Sequence, residues 1–119
     1  MFLHFGIFRE NVIMQEGLRK IKRLKERFHQ VSLSNRDSAV NQVLLRYLEL
    51  EGMLQLAGVV AMGAIAREES RGSHTRRDHP RRDDGRFLAH TVATMEKGEV
   101  TLAYKPVTLG MFKVEERGY

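Results

Sequence analysis

Between Ala66 and Asp84 the chain reads A-R-E-E-S-R-G-S-H-T-R-R-D-H-P-R-R-D-D, with cations and carboxylates alternating around a Gly and a Pro. No other stretch limits the fold so strongly. It is too polar to bury itself, and its charges are too regular for a slack linker. Arginine forks suit bidentate pairing with carboxylates, and Gly72 suits the left-handed residue that ends a helix. The expectation is a docking seam: it closes a helical hairpin on one side and presents an ordered polar surface to another protein body on the other.

The flanks supply the hairpin. From about Asn11 to His29, Leu18, Ile21, Leu24 or Lys25, and Phe28 recur at three- and four-residue steps among Arg19, Lys20, Lys22, Arg23, Glu26 and Arg27, which predicts an amphipathic helix. Gly17 weakens it by about 1 kcal/mol relative to Ala. The loop Ser32–Ser38 offers Ser34, Asn35, Asp37 and Ser38 as N-caps. A second helix is predicted from near Ser38 to about Ser70, with a stripe of Val43, Tyr47, Leu50, Leu54, Ala57, Ala61 and Ala64, and with Gly52 as a candidate kink. Its later half is rich in small residues that admit a close neighbour. Beyond Pro80, Asp83 or Asp84 can cap a short third helix running through Phe87, His90 and Thr91. Val100, Leu102 and Tyr104 alternate on one face of a strand over Glu99–Val107, after a turn at Lys97-Gly98. That strand needs a partner: Val92–Met95, the tail Thr108–Val114, or another chain.

Charge and composition narrow the function classes. The net charge of +5 invites a nucleic-acid reading. Its distribution opposes one: seven Lys/Arg face three Glu over Arg9–Arg27, and seven Arg face five acids over Arg67–Arg86. Mixed signs favour ion-pair networks over a phosphate track, and the few aromatics do not interleave with the cations as base stacking requires. The absence of Cys excludes a disulfide or thiolate chemistry. Met1–Phe8 is apolar but lacks the basic flank and cleavage site of a signal peptide. The apolar run Gly52–Ala66 is too short for a roughly 30 Å hydrocarbon core, so no membrane span is expected.

Reaction chemistry is hard to find. His74 and His79 with Asp78 have poor spacing for a metal and stand among Arg76, Arg77, Arg81 and Arg82, which oppose a divalent cation. His4 and His29 are isolated, and His90 is expected to be packed or hydrogen-bonded. Glu68 and Glu69 point apart on a helix, and Ser70 and Ser73 lack a nucleophile elbow. Neither a G-x-G-x-x-G after a strand nor a P-loop is present. Catalytic, cofactor-binding and metal residues are therefore expected to be none.

The seam carries a resemblance. Arg67, Glu69, Ser70, Arg71, Gly72, His74, Arg76, Asp78, Pro80, Arg82, Asp83 and Asp84, followed by Leu88, His90 and Thr91, are similar in identity and spacing to the C-terminal domain of succinate dehydrogenase and fumarate reductase flavoprotein subunits. Phe5-Gly6-Ile7-Phe8-Arg9 resembles that domain's lead-in, Leu48–Leu54 its central helix, Val100–Val107 its late strand, and Tyr119 its aromatic end. The resemblance implies a mainly α domain: a three-helix, up-and-down, spectrin-repeat-like bundle over about 10–92, with a small β or extended tail over about 93–119, all one domain. It also implies partners, namely the FAD-binding domain of the same flavoprotein and the iron–sulfur subunit, in a complex peripheral to the cytoplasmic face of a membrane. FAD belongs to the parent enzyme and none is expected on this chain alone. The family's dinucleotide-binding glycines, flavin-linking His and substrate-binding residues lie upstream, and no position here matches them. L-aspartate oxidase shares much of the E-S-R-G-x-H pattern, and its C-terminal domain is the nearest alternative; a basic helical nucleic-acid module is another. A piece of a larger flavoprotein is expected rather than a free-standing homologue, and self-association is expected if the chain is isolated.

Overall fold

The computed structural model describes residues 1–34, 41–111 and 114–115. In chain order they form α1 (Phe2–Phe5), β1 (Phe8–Arg9), α2 (Asn11–Phe28), α3 (Gln42–Ala66), β2 (Thr75–Arg76), α4 (Asp84–Phe87), β3 (Ala89–Glu96) and β4 (Glu99–Pro106). The chain divides into two compact units, Met1–Arg82 and Asp83–Tyr119. The fold is mainly α with a small amount of β.

In the first unit, α2 and α3 form the long pair and α1 packs beside them. Met14, Gly17, Ile21 and Phe28 are the buried positions of α2. Their three-, four- and seven-residue steps are the expected helical stripe, displaced toward the N-terminus, and Leu24 stays 46% exposed. Gly17 explains the displacement. A Cβ there would lie 2.6 Å from both the His4 Cβ and the Phe5 ring, so glycine is what lets α1 lie flat on α2. The core joins Phe5, Met14, Ile21, Ala61 and Ala64, with Leu18, Ala57 and Ile65 packed against it. Small residues on α3 admit α2 closely, as expected: a Cβ at Gly58 would lie 3.1 Å from the Lys25 Nζ. Nearer the open end, the Phe28 and Tyr47 rings stack with centroids 4.4 Å apart.

Several boundaries differ from the sequence expectation. The N-cap of α3 is Asn41, whose side-chain oxygen accepts from the Leu44 N–H at 3.0 Å; Asn35, Asp37 and Ser38 lie outside the described residues. The helix crosses Gly52 without interruption and ends at Ala66, four residues before Ser70. Its 25 residues are long and apolar enough to cross a membrane by length and composition. The length test applied to Gly52–Ala66 alone therefore does not exclude a span. The packing on α2 is what marks this helix as part of a folded core.

The second unit departs further. The third helix is the single turn Asp84–Phe87, begun by an Asp83 carboxylate that accepts from the Arg86 N–H at 3.0 Å. From Ala89 the chain is extended. Thr91, Val92 and Thr94 favour a strand, and β4 supplies the ladder that one turn of helix cannot match. The hairpin pairs Ala89 with Pro106 through to Glu96 with Glu99. Lys97 and Gly98, both with positive φ (50° and 83°), make its two-residue turn. Phe87 is buried and meets Tyr104 edge-on at 5.9 Å.

Candidate functional site: the arginine and carboxylate seam

The seam folds by turning back on itself beyond α3. Gly72 (φ +58°) is left-handed, but it does not end the helix. It lies in the tight turn closed by the Arg71 N–H to His74 O bond (2.8 Å) and the His74 N–H to Arg71 O bond (3.0 Å). The helix itself stops at Arg67, which is extended (φ −89°, ψ 96°). The turn delivers β2 alongside β1 as a short parallel pair, Phe8 beside Thr75 and Arg9 beside Arg76. Alternation along β2 then sends Arg76 inward and leaves Arg77 outside, over the Phe8 ring at 5.8 Å.

Arg76 is the hub, at 1% exposure. Its Nη1 donates to the carbonyls of Ala64 (3.3 Å), Ile65 (3.1 Å) and Arg67 (3.1 Å). Those are the carbonyls that a helix C-terminus leaves without partners, and the guanidinium charge sits at the negative end of the α3 dipole. Nε and Nη2 fork onto Asp78 Oδ1 and Oδ2, each at 2.8 Å. Asp78 Oδ2 in turn accepts from the Asn11 N–H at 3.0 Å, at the first residue of α2. One ion pair thus answers the C-terminus of α3 and the N-terminus of α2 together, each with the charge its dipole favours. The Arg76 fork, with help from the Asn11 amide, holds the Asp78 carboxyl far below the usual carboxylate range.

A second cluster lies beside it. Glu69 is fully buried and accepts from Arg67 Nε and Arg71 Nε at 2.8 Å and from Arg71 Nη2 at 2.9 Å. Glu68 is exposed. The two acids do point apart, although both lie past the end of α3 rather than on it. Ser70 ties the loop: its Oγ accepts from the Arg76 N–H at 2.8 Å and donates to the His79 O at 2.8 Å. Its own N–H reaches the Arg81 O at 3.1 Å. His74 uses both ring nitrogens, Nε2 on the Arg67 O (3.0 Å) and Nδ1 on Arg9 Nη1. Arg9 also donates to the Gly6 O at 2.7 Å and the Phe5 O at 3.3 Å.

Arg67, Glu69, Ser70, Arg71, Gly72, His74, Arg76 and Asp78 are therefore brought together. Pro80 is exposed at the rim and Arg82 is half-buried. Asp83 and Asp84 begin α4 in the second unit. His90 is exposed on β3 opposite Lys105, a correction to its expected place packed on a third helix. Sequence reasoning missed Arg9 and the Asn11 amide as members of the site. Arg9 stood only in the lead-in motif, and a backbone amide has no residue signature. The seam's inward groups are spent on this unit's own helix ends.

Comparison with known proteins decides the family. The model for the family described as "Fumarate reductase flavoprotein C-term" matches residues 1–119. The chain belongs to this family. A fumarate reductase flavoprotein subunit of Mycobacterium tuberculosis is 38% identical over 115 residues, which cover 96% of this chain and 20% of that protein. The 8-methylmenaquinol:fumarate reductase flavoprotein subunit of Wolinella succinogenes is 37% identical over 117 residues, covering 98% of this chain and 19% of that protein. Among solved structures, an E. coli quinol fumarate reductase FrdA mutant superposes with a TM-score of 0.92 at 36% identity, over 95% of this chain and 20% of that one. The chain thus spans about a fifth of the length of these relatives, and the resemblance read from the seam to the dehydrogenase and reductase family holds. The relatives are flavoprotein subunits, but the apolar hollow of the first unit does not fit a flavin. Among the described residues no buried side-chain N or O atom lacks a partner. The apolar hollow of about 300 Å³ lined by Phe5, Ile21, Leu24, Leu50, Met53 and Leu54 offers only Lys20 and His4 at its edge, far from a row of donors for a pyrophosphate.

Proposed function

We propose that this chain acts as the C-terminal helical domain of an FAD-dependent succinate dehydrogenase or fumarate reductase flavoprotein, and that its own task is structural. The observation that carries this is the second apolar face of α3. At 3.6 residues per turn, Leu48, Leu45, Leu56 and Val60 fall on the side of the helix opposite Leu54, Ala57, Gly58 and Ala61. The first four are 53%, 57%, 67% and 49% exposed. Apolar side chains gathered on the side of a helix away from its packed face mark a surface built to be covered. The occupant is the FAD-binding domain of the same flavoprotein, supported by the four-fifths of each relative's length that lies outside the match.

On this proposal the FAD, the substrate site and the two-electron chemistry between succinate and fumarate lie on that other domain. Electrons pass on to an iron–sulfur subunit, and the assembly is peripheral to the inner face of a membrane. The seam's part is to hold the ends of α2 and α3 so that the open face of α3 keeps its shape. The experiment is reconstitution. Leu48→Glu with Leu56→Glu, placed in a flavoprotein that carries this domain, should reduce recovered flavin per protomer and the yield of assembled subunit. The turnover of each flavin that is retained should stay unchanged. Normal flavin content and assembly with the doubly charged helix would refute the docking role.

A further inference from the structure

We propose that His74 and Arg9 form a proton-sensitive latch that holds the N-terminal segment, α1 and β1, on the turn following α3. A guanidinium only donates, so the contact between Arg9 Nη1 and His74 Nδ1 requires a lone pair on Nδ1. The ring proton then sits on Nε2, where the Arg67 carbonyl accepts it at 3.0 Å. His74 is therefore neutral, in one tautomer set by its two neighbours.

A second proton has nowhere to go. It would face Arg9 on Nδ1, donor against donor. The charged groups around the ring are Arg9 from β1, Arg67 from the segment after α3 and Arg76 from β2, all cations. The Arg67 carbonyl already serves Arg76 Nη1 as well. The two carboxylates of the inner clusters are committed: Glu69 to Arg67 and Arg71, and Asp78 to Arg76 and the Asn11 amide. Burial first, and the three guanidinium groups after it, depress His74 below its ordinary value, while the Arg67 carbonyl works the other way.

The strain is relieved when Arg9 leaves. Its departure gives up the bonds to the Phe5 and Gly6 carbonyls. With it go the two rungs that join the segment to β2, Thr75 N–H to Ile7 O (3.2 Å) and Arg77 N–H to Arg9 O (2.8 Å). The direction follows from linkage. In the detached form the imidazole loses Arg9 and part of its burial and rises toward its ordinary value of about 6.5, so that form takes up a proton more readily than the latched one. The latch is at full strength above that value and weakens as pH falls through it toward the depressed latched value. Within that window the opening equilibrium grows by up to about tenfold per pH unit.

Amide hydrogen exchange at Thr75 and Arg77 in the 119-residue chain, corrected for intrinsic rates, reads the two rungs directly. From pH 8 to pH 5, protection at both should fall by up to about tenfold per unit below roughly pH 6.5, while amides within α2 keep theirs. In His74→Gln, whose side-chain oxygen accepts from Arg9 without titrating, the same two amides should show no pH dependence. A measurement on the ring makes the outcome independent of how that variant folds. NMR should find the Nε2–H tautomer in the wild type, and Arg9→Met should move the His74 titration upward. Flat protection in the wild type, the same slope in His74→Gln, or an Nδ1–H tautomer would each overturn the latch.

Discussion

The two sides of α3 obey opposite rules. At its C-terminus the three carbonyls of Ala64, Ile65 and Arg67 are answered by one guanidinium, and that guanidinium by one carboxylate, all from the same unit. Along its outer flank, Leu45, Leu48 and Leu56 stay 57%, 53% and 67% exposed among the described residues. Polar groups cannot wait for a partner, because a buried donor or charge left unmet costs stability at once. Apolar surface can wait, since exposure in water costs only the burial not yet gained. A domain destined to be covered can therefore leave its apolar face open, and must finish its polar ends itself.

The sharpest way to break that contrast is Arg76→Met. It strands three carbonyls and takes the fork from Asp78, which keeps the Asn11 amide, and should cost on the order of 3 kcal/mol in urea unfolding. A cost below about 1 kcal/mol would mean that water reaches the end of α3 as easily as its flank. Next in size is Gly17→Ala. Helix propensity alone predicts a gain of about 1 kcal/mol, but the new methyl would meet His4 and Phe5 at 2.6 Å. A net loss of about 1–2 kcal/mol is expected, and a gain would show that α1 is not held on α2.

Acid sharpens the comparison from the polar side. Asp78 is depressed by its fork with Arg76, so its contribution is complete above the unfolded carboxylate value near 3.9. It is lost as pH falls below that value toward the folded one. Asp78→Asn should remove this part of the acid limb in a pH series of unfolding midpoints, and an unchanged limb would contradict the fork. The smallest effect on stability belongs to the open flank. Leu48→Lys with Leu56→Lys should change the unfolding free energy of the chain by no more than about 0.5 kcal/mol per site. The same pair should abolish concentration-dependent self-association in sedimentation. A large loss of stability would show that the flank is already packed.

What could be read from the residues follows the same divide. Periodicity located α2 and the small-residue half of α3 because local burial writes itself into spacing. Gly17 misled, since its propensity cost was visible and the ring of Phe5 was not. The third helix failed at Ala89 because Asp83 is a sound cap for one turn, while the strand preference of Thr91–Thr94 needed β4 to express it. The seam's composition announced forks, and Arg71 and Arg76 make them. That Arg76 would meet carboxylates or backbone carbonyls was legible, but which carbonyls was not, and the bond from Asn11 to Asp78 spans 67 residues. Side-chain chemistry can be read from letters, whereas the main-chain atoms it meets depend on the finished fold.

The bond from Asn11 to Asp78 also bears on the order of events during folding. Its two ends, like those of the His74 contact with Arg9, lie more than sixty residues apart, so the loop they close is among the longest the unit can form. Contacts between α2 and α3 close shorter loops and come sooner. A helical pair is then expected to form before its ends are clamped, with the outer flank of α3 still wet, and in that interval a neighbour's apolar flank is its most available mate. Refolding yield should then fall with protein concentration more steeply for Arg76→Met than for the wild type, because the interval never closes.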